Sequence, residues 1–309
     1  MTSRLGVVGD IVEDVVARMR APFAPGSDTP SDIVRRRGGS AANMAVAAAS
    51  LVPTRFFGCV GDDLTGQRLS AGLAGVVAAR LQVTGAAPTG TIVVLVDAHG
   101  ERHMFPDRGA NLYLGPIDVS GLDALHATAY SLDGGTTATS VAAALKAVAA
   151  SGRVTSLDVS SVALINQLGV ARMLGVLNEL RPTIVFANAA EARLLGLDAR
   201  EPSPDRLVLV KDGANPALIR TPLGAWLVPT TPLPVTDTTG AGDAFAAGVL
   251  ASVIHLGLTA EALLAGGEQL AVGLTQAGHK SATARLLPER GHHEGAGDAA
   301  DADGKVPGA

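Results

Sequence analysis

The strongest constraint on the fold is an alternation in the second half of the chain. From about residue 120 onward, apolar β-prone stretches at 154–158, 183–187 and 207–210 alternate with helical stretches at 141–150, 170–180 and 190–195. Strands separated by helices run parallel, because each helix carries the chain back to the edge where the next strand begins, and the helices then cover both sheet faces. The run Leu5-Gly6-Val7-Val8-Gly9 has the character of a buried strand of the same sheet, short, apolar and closed by glycine and Asp10. An alanine-rich helix at 41–51 and a strand at 55–60 complete a βαβ-like unit.

Two stretches break the pattern. Residues 11–37 mix short β-prone pieces with a Pro/Gly/Ser/Asp segment from Pro22 to Ser31, too broken for a sheet-covering helix. The β-branched stretch 91–97, the turn Ala98-His99-Gly100 and the return at 102–105 predict a hairpin. Together, segments 11–37 and 91–108 predict a small β lid on a domain spanning 1–290. Residues 291–309 have too little apolar mass to pack and predict a disordered tail, in which His292 and His293 are solvated rather than metal-bound. No repeat of 20–50 residues points to a solenoid or propeller.

Composition narrows the function. A formal net charge of -5 argues against nucleic acid or an anionic membrane surface as the main partner. The run Arg35-Arg36-Arg37 reads as a solvated strand end before a glycine turn. One cysteine, Cys59, allows neither an internal disulfide nor a thiolate metal cluster and reads as a small core residue. There is no charged leader with an apolar core and no apolar run of about 18 residues, so the expectation is a cytoplasmic protein.

Chemistry concentrates in Thr236-Asp237-Thr238-Thr239-Gly240-Ala241-Gly242-Asp243-Ala244-Phe245, where glycines bracket a small residue and a helix-forming run follows. Such residues let successive backbone N–H groups converge, and the free amides and positive dipole at a helix start favour a phosphate. Asp243 would repel that phosphate unless it serves as a general base for an attacking hydroxyl. On local physics alone, the alternative that Asp243 merely caps its helix stays open.

This decapeptide resembles the D-T-x-G-A-G-D signature of the ribokinase (PfkB) family of carbohydrate kinases. Gly38-Gly39-Ser40-Ala41-Ala42-Asn43, followed by Gly58-Cys59-Val60-Gly61-Asp62-Asp63-Leu64-Thr65-Gly66, resembles the family's amino-terminal signature, and Asn188-Ala189-Ala190-Glu191 resembles its N-x-x-E motif. The three occur in family order across roughly residues 5–290. The resemblance implies a ribokinase-like three-layer α/β/α sandwich with a mostly parallel central sheet and a small β lid. The implied activity is ATP-dependent phosphorylation of a hydroxyl on a small sugar or sugar-like substrate.

By the same resemblance, Asp243 is the catalytic base, and Gly240, Ala241 and Gly242 form the anion hole. Asn188 and Glu191 organise Mg²⁺, its waters and the nucleotide phosphates, with Glu191 nearest the metal role, while Thr238, Lys211 and Gly213 lie on the nucleotide side. Gly38, Gly39 and Asn43 hold substrate hydroxyls. Asp14 matches the substrate-gripping acid better than Asp10, and its carboxylate suits a diol. Asn111, in Gly109-Ala110-Asn111, is a further substrate candidate, and Arg108 could face solvent or substrate. Monovalent-cation activation and a homodimer through the lid, both seen among such kinases, stay open. Two departures concern the nucleotide pocket: Gly266-Gly267-Glu268 stands where relatives place a polar side chain beside adenine, and the connection from Leu197 to Leu207 is short.

The rivals are weaker. The G-x-x-x-x-G-K-[ST] loop of P-loop nucleotidases is absent, as are the G-x-G-x-x-G of dinucleotide-binding dehydrogenases and the H-E-x-x-H of zinc hydrolases. A nucleoside acceptor such as pseudouridine is the alternative substrate, with Met104-Phe105 on the lid as a stacking surface or as lid core. A catalytically silent sugar or nucleoside sensor is the alternative without chemistry.

Overall fold

The computed structural model describes residues 4–97, 99–233 and 238–287. The predicted tail 291–309, Ala98 of the predicted turn, and Thr236 and Asp237 of the decapeptide lie outside the described residues.

The chain enters through strand β1 (Leu5–Val8) and leaves at once into β2 (Val12–Met19) and β3 (Ser31–Gly38). It returns through helix α1 (Ser40–Ala49), β4 (Thr54–Gly61), α2 (Leu64–Leu73) and β5 (Ala78–Thr84), then makes a second excursion, β6 (Thr91–Val96) and β7 (Arg102–Asp107). Next come β8 (Ala124–Thr128), α3 (Gly135–Ala150), β9 (Val154–Asp158), α4 (Val162–Leu168), α5 (Val170–Leu180), β10 (Ile184–Asn188), α6 (Ala189–Leu195) and β11 (Leu207–Lys211). A hairpin, β12 (Ala217–Thr221) and β13 (Gly224–Val228), precedes α7 (Ala241–His255), α8 (Ala260–Leu264) and α9 (Glu268–Leu286).

Nine strands form the main sheet in the order β13-β12-β11-β10-β9-β8-β1-β4-β5. All neighbours pair parallel except β11 with β12 and β12 with β13. The parallel strands are buried on both faces, and alternate residues feed two cores. Leu5, Val7, Ile184, Phe186, Leu207 and Leu209 face one core with Met44 of α1, Phe245 and Leu250 of α7, and Leu274 of α9. Val8, Val185, Ala187, Val208 and Val210 face the other, with Val141 and Leu145 of α3 and Met173 and Leu177 of α5. The result is a three-layer α/β/α sandwich. Cys59 is 1% exposed in the second core.

α7 and α9 pack closely because each offers a glycine at the contact. A Cβ on Gly248 would run into the Ala277 carbonyl, and one on Gly278 would come within 2.7 Å of the Phe245 ring.

The excursions form a second sheet, ordered β3-β2-β6-β7, with β2–β3 and β6–β7 antiparallel and β2–β6 parallel. Its own core is Val16, Val94 and Val96. Met104 and Phe105 are each 57% exposed, so neither is lid core. Among the described residues, no helix is long and apolar enough to cross a membrane.

In the main sheet, β1 has β4 on one side and β8 on the other, so the chain order changes direction there. Ligands of open α/β sheets bind beyond the carboxyl ends of strands at such a switch point. Gly9 and Asp10 end β1 there, and the small sheet rises from that edge.

Candidate active site

Two helix starts meet above the sheet. Gly39, at φ +93°, lies so close to the Asp10 carbonyl that a Cβ would collide with it, which brings Ser40 into the first position of α1. Gly240, at φ +78°, turns the chain into α7, a left-handed conformation costly for residues with a Cβ. Across the gap, Ser40 Oγ donates to Asp243 Oδ1 at 2.6 Å, and Asn43 is near enough to help hold the carboxylate's pKa down.

Asp243 is half-buried on the first turn of α7, not turned into the core. Burial, with the nearby Asp158 adding, raises its pKa to about 6 against the pull of Ser40, Lys211 and Asn43. It is thus a stronger base than an ordinary carboxylate while still largely ionised at neutral pH.

The cradle is narrower than the glycine pattern suggests. The Ala241 amide already bonds the Thr238 carbonyl at 3.1 Å, closing a turn. What α7 presents is the remaining orphan donors of its first turn and the positive end of its dipole. Lys211, at the end of β11, reaches the same place: a Cβ on Gly242 would sit 3.2 Å from its Nζ. Behind this turn opens a cleft of about 370 Å³, whose walls include Lys211, Gly213, Thr238, Ala241, Gly242 and His279. α9 contributes to it through His279, Ala282, Thr283 and Leu286, whereas Gly267 stands at the far end of that helix. A hollow of about 460 Å³ between α1, α7 and α9 has no carboxylate in its wall.

Three acidic side chains share one lysine. Lys211 Nζ donates to Asp158 Oδ2 at 2.7 Å, and it also feels Asp243 and Glu191. Burial works against its charge, but Asp158 holds its pKa above the usual lysine value. Asn188 and Glu191 form a capping box on α6: the Asn188 side chain accepts from the Glu191 amide at 2.9 Å, and Glu191 accepts from the Asn188 amide at 2.7 Å. Glu191 is 3% exposed, and burial, with Asp158 adding, raises its pKa. Asp158 and Glu191 offer the hard oxygen donors that a divalent cation such as Mg²⁺ takes.

On the lid side, Asp14 lies against Gly38, where a Cβ would collide with its carboxylate. Arg36 Nε stands 3.7 Å from Asp14 Oδ2. Burial raises the Asp14 pKa, while Arg36, Arg102 and Arg37 pull it back. Asp10 is committed elsewhere, its two oxygens gripped by Arg108 at 2.8 and 3.0 Å.

Two expectations change. Asn111 is 2% exposed, and its amide is spent on the lid base: its oxygen accepts from the Ile11 amide at 2.9 Å and its nitrogen donates to the Ile11 and Arg108 carbonyls. A substrate hydroxyl would have to displace these bonds, so Asn111 reads as a structural clamp. Arg108 faces neither solvent nor the acceptor, since it also donates to the Asp133 carbonyl.

Sequence reasoning passed over Ser40, Asp158 and Arg37. Ser40 sat inside the glycine-rich motif, and Asp158 at the carboxyl end of a predicted strand, where sites of this architecture gather. Arg37, read as solvated, donates to Asn43 Oδ1 at 2.9 Å.

The description "pfkB family carbohydrate kinase" matches residues 2–284. The chain belongs to this family. An ATP-dependent ribose-1-phosphate kinase of Halopiger xanaduensis is 32% identical over 257 residues, covering 79% of this chain and 82% of that protein. A fructokinase of Klebsiella pneumoniae is 29% identical over 278 residues, covering 84% and 87%. Among solved structures, a fructokinase of Xylella fastidiosa with bound ATP superposes with a TM-score of 0.75 at 24% identity, over 90% of each chain, a likeness of fold. As a pfkB family kinase, the chain is an ATP-dependent phosphotransferase that phosphorylates a hydroxyl group of a small sugar-like substrate.

Proposed function

We propose that Asp243 is the general base of this kinase, taking the proton of an acceptor hydroxyl held between the main sheet and the lid. The observation that carries the reading is the position of its carboxylate. It stands on the α7 turn that borders the 370 Å³ cleft, and Ser40 binds it from the opposing helix on the acceptor side, with Asn43 nearby. A base between a phosphate cradle and a polar acceptor set is the arrangement phosphoryl transfer requires.

Each remaining residue has a task that its surroundings support. Ser40 and Asn43 orient the carboxylate, so that no reorganisation is needed when the proton moves. Asp14 accepts from acceptor hydroxyls, and the close packing of Gly38 and Gly39 lets the substrate approach the backbone. Lys211 and the first-turn amides of α7 meet the transferred phosphoryl group, while Gly213 and Thr238 line the nucleotide cleft. Asn188 and Glu191 would hold Mg²⁺, which would neutralise charge on the nucleotide phosphates. The lid excludes bulk water from the acceptor.

The relatives differ in acceptor, being named for ribose 1-phosphate and for fructose. The deciding experiment is coupled ADP release over pentoses, hexoses, their phosphate esters and nucleosides. Acceptor-dependent ADP formation with at least one sugar is the expected result. Tight binding of a sugar or nucleoside with no ADP formed would identify a silent sensor.

A further inference from the structure

Arg37 stands at the end of β3, where the lid runs into the glycine turn before α1. Its cross-strand neighbour is Glu13, but both Glu13 oxygens are already taken, by Arg35 and Arg68. Arg37 turns instead to α1 and donates from Nη1 to Asn43 Oδ1 at 2.9 Å. Its charge is answered at the site: burial and then Arg285 lower its pKa, and Asp243 and Asp14 oppose them. Arginines of two other elements approach the neighbouring turn. Arg285 of α9 has its Nε 3.5 Å from the place of a Cβ on Gly240, and Arg102 of β7 donates to Thr239 Oγ1 at 2.6 Å. What Arg37 adds to this balanced set is direction.

A guanidinium only donates hydrogen bonds, whereas a side-chain amide donates from one end and accepts at the other. The end of Asn43 that faces Arg37 must therefore be its oxygen, since the reverse setting would press N–H against N–H. The Asn43 NH₂ is left to the other side. Its effect there is visible on Asp243, whose pKa Asn43 holds down, as a donor to a carboxylate does. Ser40, three residues earlier on the same face of α1, donates to that carboxylate too. The ionised carboxylates of Asp14 and Asp243 can only accept, so they hold a hydroxyl by its proton and leave its oxygen unanswered. An amide with its NH₂ on this side supplies the missing donor.

We propose that Arg37 is a positioning residue, which fixes the Asn43 amide with its NH₂ turned to the acceptor, so that Asn43 binds an acceptor oxygen as a donor beside the carboxylates of Asp14 and Asp243. The proposal rests on the reading of the site as a kinase centre and adds what sets the polarity of its acceptor side. Arg37 itself touches no substrate in this arrangement. It acts through Asn43.

The test is a double-mutant cycle on the full chain, read by calorimetry without nucleotide and separately by coupled ADP release. The probes are ribose, fructose, their phosphate esters and adenosine, and the one that binds most tightly is followed. Arg37→Gln, whose amide can offer Asn43 either end, should weaken that probe by roughly three- to tenfold and raise its KM to match, with a smaller fall in kcat. Arg37→Lys, again a donor only, should recover most of the loss. Asn43→Asp keeps an oxygen for Arg37 but has no NH₂, and should weaken the probe by about tenfold or more. In an Asn43→Ala background, Arg37→Gln should change affinity by less than about twofold. An equal loss from Arg37→Gln with and without Asn43 would overturn the proposal, since Arg37 would then act on the acceptor or the fold directly. So would Asn43→Asp binding the probe as tightly as the parent. Coupled losses with no ADP formed from any probe sink the kinase reading and leave the role of Arg37 standing; ADP formation with additive losses does the reverse.

Discussion

Asp243 works at the border between two charge environments, with Asp158 and Lys211 behind it and Ser40, Asn43 and the lid arginines in front. Asp243→Asn keeps the shape and removes the proton acceptor, so kcat should fall by about 10²–10⁴, with ATP affinity by calorimetry within a few-fold of the parent. Near-normal turnover in that variant would remove the residue from its role. Its raised pKa sets the pH response. The base must be ionised, so kcat/KM for the acceptor should fall as pH drops through about 6 and level off above it, and the inflection should vanish in the Asn variant. His126 should not add a second limb: it is fully buried against Ser156 Oγ at 2.9 Å, and burial lowers its pKa to about 4, so it stays neutral. At this scale the motif residues were legible because each has a fixed place in a short string. Asn111 and Arg108 were not, since their partners at Ile11 and Asp10 lie 100 and 98 positions away.

Among elements, the glycine-rich amino-terminal motif does two different jobs. Its first half starts α1 beneath the acceptor. Its second half is architecture: Asp63 caps α2 through the Gly66 amide at 2.7 Å and also accepts from the Thr89 amide and hydroxyl, both at 2.7 Å. One carboxylate thus joins α2 to the segment that leads into β6. Burial opposes its charge, but the hydrogen bonds from Thr89 and Gly66 prevail and lower its pKa. Asp63→Ala should destabilise the fold by about 1–2 kcal/mol, seen as a lower urea midpoint with an unchanged slope. An unchanged midpoint would mean the cap is redundant. Strands 154–158 and 207–210 and helix 170–180 were readable as continuous apolar or periodic runs. The hairpin β12–β13 was not, being two five-residue strands around a short turn, and neither was α9, whose buried side is only Ala271, Leu274, Thr275 and Gly278.

For the molecule as a whole, the contrast is between a deeply packed sheet and a thin lid. The nine-stranded sheet has a core on each face, while the four-stranded sheet relies on Val16, Val94 and Val96. Glu13, 3% exposed and bonded by both Arg35 and Arg68, ties the lid to α2 alongside the Asn111 clamp. Few apolar contacts mean a low free energy of local opening. Amide exchange in β3 and β7 should therefore be faster than in β1, β8 and β10, and slow when acceptor and a non-hydrolysable ATP analogue are both bound. Equal protection of the two sheets in the free protein would contradict a lid that opens.

The order of strands and helices, the two excursions and the glycine-bracketed start of the helix that carries Asp243 all follow from local rules, because period, turn chemistry and helix starts act over a few neighbouring residues. What required the tertiary structure was every relation across the chain. The meeting of Ser40 with Asp243 over 203 positions is one; the sharing of Lys211 among three acids and the gathering of arginines from β3, β7 and α9 are others. Charge acts through space, and only the folded backbone decides which charges face one another.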